Sequence, residues 1–272
     1  MKPSALRPLS AVPEAARRGF RGVLTDIDDT LSTRGRIHAA AYAAMERLRG
    51  HRLLVIPVTG RPAGWCDHIA RMWPVDAVVG ENGALYMIHD ERQAKLRKRY
   101  AEGADSGIFA ARLERIAQTI LREVPGAALA SDQRYRETDL AIDYCEDVPA
   151  LPRDSVNRIV DLMRAEGMAV KVSSIHVNGW FGAYDKLTTA RALLSEEFGI
   201  DLERERDRFV FVGDSPNDEP MFDYFPYSVG VANVRRFADC MSVLPGYVTE
   251  RESGAGFVEL ADWLAGRSRT PD

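Results

Sequence analysis

The chain has 272 residues, with 36 Lys and Arg against 40 Asp and Glu and a formal net charge of −4. Nothing in it resembles a basic stripe with interleaved aromatics, so a nucleic-acid-binding surface is excluded as a leading reading. Its length can bury a sizeable core, as one large domain or as a core with a smaller second domain. Three cysteines, Cys66, Cys145 and Cys240, are scattered and odd in number. They suggest neither a disulfide framework nor a metal site, and they point to a reducing cytoplasm. No apolar run reaches the length of a signal peptide or membrane span, and oligomeric state is not readable. Residues 1–19, with Pro3, Pro8 and Pro13, are expected to be a loose extension.

The first structured stretch is Val23-Leu24-Thr25-Asp26-Ile27-Asp28-Asp29-Thr30-Leu31. An apolar run predicts a buried strand, which delivers Asp26 and Asp28 to a polar loop. At the end of a central strand of an open α/β sheet these carboxylates would face the ligand crevice. Their mutual repulsion calls for a divalent metal, a shared proton, or both. Ile37, Ala41, Ala44, Met45 and Leu48 then recur at helical spacing as far as Gly50. A second strand, Leu53 to Val58, ends in Thr59-Gly60-Arg61-Pro62, a polar turn and helix start suited to an anion. Taken alone, Thr59 also reads as an ordinary N-cap. A third strand, Val75 to Val79, is followed by Gly80-Glu81-Asn82-Gly83-Ala84, whose Asn-Gly pair marks a tight turn. The basic run Lys95 to Arg99 is expected to be a solvated face.

In the middle section, Phe109 to Val124 and Val156 to Met163 carry helical periodicity, and Leu140, Ile142 and Tyr144 alternate as in a half-buried strand. Val170 to Val172 and Ile175 to Val177 read as paired strands. The pattern predicts a small α+β domain at 86–182, leaving a core at 20–85 and 183–272. The return to the core begins at Tyr184-Asp185-Lys186-Leu187, a helix start in which the macrodipole does not favour Lys186. The strand Phe209 to Val212 then leads into Gly213-Asp214-Ser215-Pro216-Asn217-Asp218, which again sets acids at a strand end. A strand at Ser228 to Val231 and a helix at Phe257 to Leu264 close the chain.

The ordered set D-x-D, T-G-R, K and G-D-x-x-N-D resembles the four motifs of the haloacid dehalogenase-like phosphatases. The E-N-G-A turn and the position of the inserted section are similar to the Cof-like, sucrose-phosphatase and trehalose-phosphatase branches. The resemblance spans about 20–265. It implies a Rossmann-like, doubly wound parallel α/β core with an inserted α+β cap. It further implies Mg²⁺-dependent hydrolysis of a small phosphomonoester, with a sugar phosphate expected, through an aspartyl-phosphate on Asp26 and with Asp28 as general acid and base. Asp26, the Asp28 carbonyl and Asp214 would hold Mg²⁺, with Asp218 acting through water. Thr59, Gly60, Lys186 and Asn217 would hold the phosphoryl group. Candidate substrate readers are Arg61, Asn82 and Gly83 in the core and Arg136, Glu137, His176 and Asn178 in the cap. Asp29 stands where many members have Gly. A phosphosugar mutase and a non-catalytic phosphosugar-binding protein are the alternatives.

Overall fold

The computed structural model describes residues 6–104 and 107–266. The first elements are β1 (Arg7–Pro8), α1 (Glu14–Gly19), β2 (Gly22–Thr25), α2 (Ala39–Gly50), β3 (Leu54–Pro57), α3 (Ala63–Met72) and β4 (Val78–Gly80). They continue with β5 (Leu85–Asp90), β6 (Lys95–Tyr100), α4 (Ala110–Glu123), β7 (Ala128–Leu129), β8 (Asp139–Asp143), α5 (Arg153–Ala165), β9 (Ala169–Val172) and β10 (His176–Trp180). The last are α6 (Lys186–Phe198), α7 (Leu202–Glu205), β11 (Phe209–Gly213), α8 (Glu219–Tyr224), β12 (Ser228–Gly230), β13 (Tyr247–Val248) and α9 (Ser253–Ala265).

The core sheet has the order β1-β13-β12-β11-β2-β3, and all of its pairings are parallel. Its central strands are apolar throughout because helices cover both faces. Alternation sorts each strand between two cores. Val23, Val55 and Val210 pack with α2, α3 and α9 through Met45, Leu48, Ile69 and Phe257. Leu24, Ile56, Phe209 and Phe211 pack with α6 and α8 through Leu193, Leu194, Met221 and Phe222. From β2 the chain winds one way to β3 and later the other way through β11 and β12. A switch point therefore lies between β2 and β11, where ligands bind at the carboxyl ends of strands.

The inserted domain has its own antiparallel sheet, β7-β8-β10-β9. Leu140, Ile142 and Val177 point to α4 and α5, where they meet Ile116, Ile120, Ile159 and Met163. The period of two then turns Asp139, Asp143, His176 and Asn178 to the helix-free face, where all four are nonetheless buried.

Three expectations change. The extension at 1–19 is not loose from residue 6 onward: Arg7 and Pro8 pair with Tyr247 and Val248, and Leu9 and Val12 are buried in the core. The basic run is an edge strand, β6, paired with β5, so its Lys and Arg residues guard a sheet edge as well as facing solvent. The hairpin β5–β6 also pairs with β4 and buries Leu85 and Met87 in the core, so the cap's own layer starts after it rather than at 86. An amphipathic alternation in one short strand does not say which domain it will join. Residues 1–5, 105–106 and 267–272 of the expected domains lie outside the described residues.

Candidate active site

Asp26 and Asp214 each sit one step beyond a parallel strand, so sheet register brings them together, and the turn after Asp214 returns Asp218 to the same place. Thr25 pairs with Val212 and Pro57, which puts Asp26, Val58 and Gly213 side by side. The Asp26 amide donates to Val212 O at 2.9 Å and fixes the start of the loop. Carboxylate oxygens of Asp26, Asp214 and Asp218 lie within 4.8 Å of one another, and all three residues are buried. Lys186, the first residue of α6, reaches across from the next layer. Its Nζ donates to Asp26 Oδ1 at 2.7 Å and to Asp218 Oδ1 at 2.9 Å.

Charge bookkeeping in this cluster is unbalanced: three carboxylates face one ammonium. Burial first, then Asp218 and Asp28, push the Asp26 carboxyl up to about 7 against the pull of Lys186. Burial, then Asp26, Asp218 and Asp29, raise Asp214 well above the usual carboxylate range. Burial works against charge on Lys186, but Asp218 and Asp26 outweigh it and hold the ammonium above the usual lysine range. A site that strains to stay ionised in this way is suited to a divalent cation with hard oxygen ligands. Asp218 has little left to offer one directly. Its Oδ1 takes Lys186, and its Oδ2 accepts the Asp214 amide at 3.1 Å.

Thr59 is fully buried, and its Oγ1 accepts the Arg61 amide at 3.0 Å. Gly60 adjoins Asn82 so closely that a Cβ would stand 3.0 Å from Asn82 Oδ1. Asn217 Oδ1 accepts from Ser215 Oγ at 2.7 Å. Gly83, at φ 104°, packs on the start of α6, where a Cβ would lie 2.1 Å from Asp185 O.

No family model matches the sequence. It is similar to a phosphoglycolate phosphatase of Methanothrix thermoacetophila, 28% identical over 249 residues that make up 90% of this chain and 97% of that one. The fold is similar to the trehalose-6-phosphate phosphatase C-terminal domain of C. albicans, with a TM-score of 0.69, 13% identity, and coverage of 94% of this chain and 96% of that one. It is also similar to a haloacid dehalogenase-like hydrolase of Bacteroides thetaiotaomicron, with a TM-score of 0.60, 15% identity, and coverage of 89% and 98%. The fold is that of the haloacid dehalogenase-like hydrolases, and the relative it resembles in sequence is a phosphatase.

In this fold the cap is docked on the core. Asp28 and Arg61 form a two-oxygen ion pair, with Nη2 at 2.8 Å and Nε at 3.0–3.1 Å. Cap residues complete the shell of the same guanidinium: Glu146 at 2.6 Å and Asp132 at 3.2 Å. His176 Nε2 lies 2.9 Å from Glu146 Oε2. Burial would raise Glu146, but hydrogen bonds from His176 and Arg61 outweigh it and hold the carboxyl at about 2. The Arg136 side chain is 1% exposed and ties Asp132, Asp139 and the Gly60 carbonyl together. Asn178 and Asn82 both donate to Asp139 Oδ2.

Between the two domains a cavity of about 10 Å³ is lined by Asp26, Asp28, Arg61 and Ser215 from the core and by Ser174, His176 and Asn178 from the cap. Glu137 does not join them, because its carboxylate pairs with Lys98 and Tyr100 on β6. Asp29 takes the left-handed conformation at φ 54° and is half-buried. Burial raises its carboxyl, with a hydrogen bond from Ser174 opposing.

Sequence reasoning missed Asn233 and Thr30, which donate to Asp214 at 3.1 and 3.4 Å. Asn233 follows the end of β12, and a polar residue just past a core strand was the available signal. Glu146 and Asp132 lie in cap loops with no such signal. No helix among the described residues is long and apolar enough to cross a membrane.

Proposed function

We propose that this phosphatase is a Mg²⁺-dependent phosphomonoester hydrolase acting on a small metabolite. The observation that carries the reading is the meeting of Asp26, Asp214, Asp218 and Lys186 at the carboxyl ends of β2 and β11. Asp26 is the nucleophile, and its attack on phosphorus gives an aspartyl-phosphate that water then hydrolyses. Asp28 gives a proton to the departing alcohol oxygen and takes one from the incoming water. The carboxylates of Asp26 and Asp214 with the Asp28 carbonyl would hold Mg²⁺, which would neutralise charge between phosphate and acids. Asp218 orients Lys186. Thr59, the Gly60 amide, Lys186 and Asn217 hold phosphoryl oxygens as their charge redistributes.

A cavity of about 10 Å³ has room for roughly one water molecule. Substrate entry therefore requires the cap to withdraw, and renewed docking excludes solvent before chemistry. The cap face brings Arg136, His176 and Asn178 toward the leaving group, beside Arg61 of the core. Sugar phosphates are the expected class, in line with the trehalose-phosphatase neighbour. The donor-rich lining and the phosphoglycolate phosphatase relative favour a second class, phosphorylated hydroxy acids. A cytoplasmic setting, inferred from free Cys66, Cys145 and Cys240, belongs to the same proposal.

Phosphate release is the test, from an aryl phosphate, a panel of sugar phosphates and phosphoglycolate, with Mg²⁺ or EDTA. Wild type should turn over only with Mg²⁺, and Asp26→Asn should fall to background. Absence of release from every compound would overturn the hydrolase reading, and recovery of an isomeric phosphosugar would establish a mutase instead.

A further inference from the structure

The turn Glu81-Asn82-Gly83 holds three successive residues at positive φ, 46°, 56° and 104°. Two of them are not glycine, a conformation that costs about 1 kcal/mol per residue and persists where surroundings impose it. What imposes it here is a set of bonds from three directions. The Glu81 amide donates to Arg61 O at 3.0 Å and the Asn82 amide to Thr59 O at 3.1 Å, so the turn is laced to the phosphate-binding turn. Thr189 Oγ1 donates to Gly83 O at 2.5 Å, which anchors it to α6 beside Lys186.

The Glu81 side chain supplies the third direction. It is fully buried, and its two oxygens accept four hydrogen bonds from both domains. Oε1 takes the amides of Ala63 at 2.9 Å and Glu137 at 2.8 Å. Oε2 takes the Thr138 amide at 2.7 Å and the Thr138 hydroxyl at 2.6 Å. Ala63 opens α3 directly after Thr59-Gly60-Arg61-Pro62, whereas Glu137 and Thr138 lead into cap strand β8. Arg136 reinforces the junction through its bond to Gly60 O at 2.8 Å.

We propose that Glu81 is a positioning residue whose buried carboxylate fastens the docked cap to the phosphate-binding turn, so that cap closure sets Thr59, Gly60 and Arg61 for phosphoryl transfer. The inference rests on the phosphohydrolase reading of this site. When the cap withdraws, Glu81 loses three of its four donors and keeps only the Ala63 amide. Water that enters in their place can solvate the carboxylate but fixes it in no one direction, so the core turn is held in its set geometry only while the cap is docked. Glu81 touches no reacting atom.

The experiment compares wild type with Glu81→Gln, Thr138→Val and Thr138→Ser. Gln keeps an oxygen for Ala63 and Glu137 but sets an N–H against the Thr138 amide. Thr138→Val alters the cap alone. Amide hydrogen exchange is read at Ala63, Glu137 and Thr138, and kcat and KM are read with an aryl phosphate. Coupling predicts at least tenfold faster exchange at Ala63 in Thr138→Val, although Ala63 lies in the core. It also predicts a kcat about tenfold lower in Glu81→Gln and Thr138→Val with KM within threefold, and wild-type kcat in Thr138→Ser. Unchanged exchange at Ala63 in Thr138→Val, or equal kcat in the Val and Ser variants, would overturn the proposal. Exchange needs no turnover, so a wild type that releases no phosphate counts against the hydrolase reading while exchange still judges the clamp.

Discussion

At the scale of single residues, the site is governed by how few cations serve its acids. Lys186 is the ammonium that faces Asp26 and Asp218, and removing one partner of a buried ion pair typically costs about 3–5 kcal/mol because the other is left uncompensated. Lys186→Met should therefore melt well below wild type in EDTA and regain more stability than wild type on adding Mg²⁺, which calorimetry at fixed pH would show. Equal gains in both proteins would contradict the proposed metal site. Glu146 offers a test by pH. Its carboxyl is held at about 2 against an ordinary 4.5, so its contribution is fully present above 4.5 and is lost as pH falls toward 2. Arg61 and His176 supply that hold, with Asp28 and Asp132 competing for the same guanidinium. Glu146→Gln should flatten this part of the stability curve, removing on the order of 2 kcal/mol of acid sensitivity between pH 4.5 and 2.5. An unchanged curve would show that the cap–core ion pairs contribute nothing to acid lability.

At the scale of elements, the start of α6 shows how a helix end is used to aim a side chain. The Asp185 carboxylate accepts the Thr188 amide at 2.7 Å, and the Asp185 amide donates in turn to the Thr188 hydroxyl at 3.0 Å, closing a capping box. The macrodipole disfavours a cation in that first turn, and Asp26 and Asp218 reverse the balance at Lys186. Asp185→Ala should cost about 1 kcal/mol in a urea melt, while Asp185→Asn should cost only a few tenths. Gly83→Ala should be harsher. A Cβ there would stand 2.1 Å from the Asp185 backbone oxygen at a φ that L residues avoid, so α6 and Lys186 must move. A fall of kcat together with more than about 2 kcal/mol of stability is expected, and a variant with wild-type turnover would show that Lys186 tolerates displacement.

At the scale of the whole molecule, two domains share one small crevice, and the docked arrangement leaves no room for substrate. Gly64 in α3 touches Tyr135 of the cap: a Cβ at Gly64 would lie 2.9 Å from Tyr135 Cβ. A shift of about 1 Å brings that pair to disulfide spacing. Gly64→Cys with Tyr135→Cys should thus be active when reduced and lose turnover when oxidised, with activity restored by dithiothreitol. Oxidised protein that still turns over would mean that substrate enters without cap withdrawal. Much of this molecule was written locally. Apolar runs ending at Asp26, Thr59 and Asp214 needed only a parallel sheet to be brought together, because strand ends in such a sheet share one edge by construction. The periodic helices α2, α4 and α5 were equally readable, since one buried stripe requires that spacing. Where cap meets core was not readable. Glu146, Asp132 and Glu81 are ordinary acids in turns until a second domain supplies their donors. The strands β5 and β1 also join the core through long-range pairing that short alternation cannot specify. Sequence alone determined which groups stand at the strand ends, because where an apolar run stops and which residue follows it are local properties. Tertiary structure decided which charges are balanced, because a carboxylate's partner is set by what folds over it.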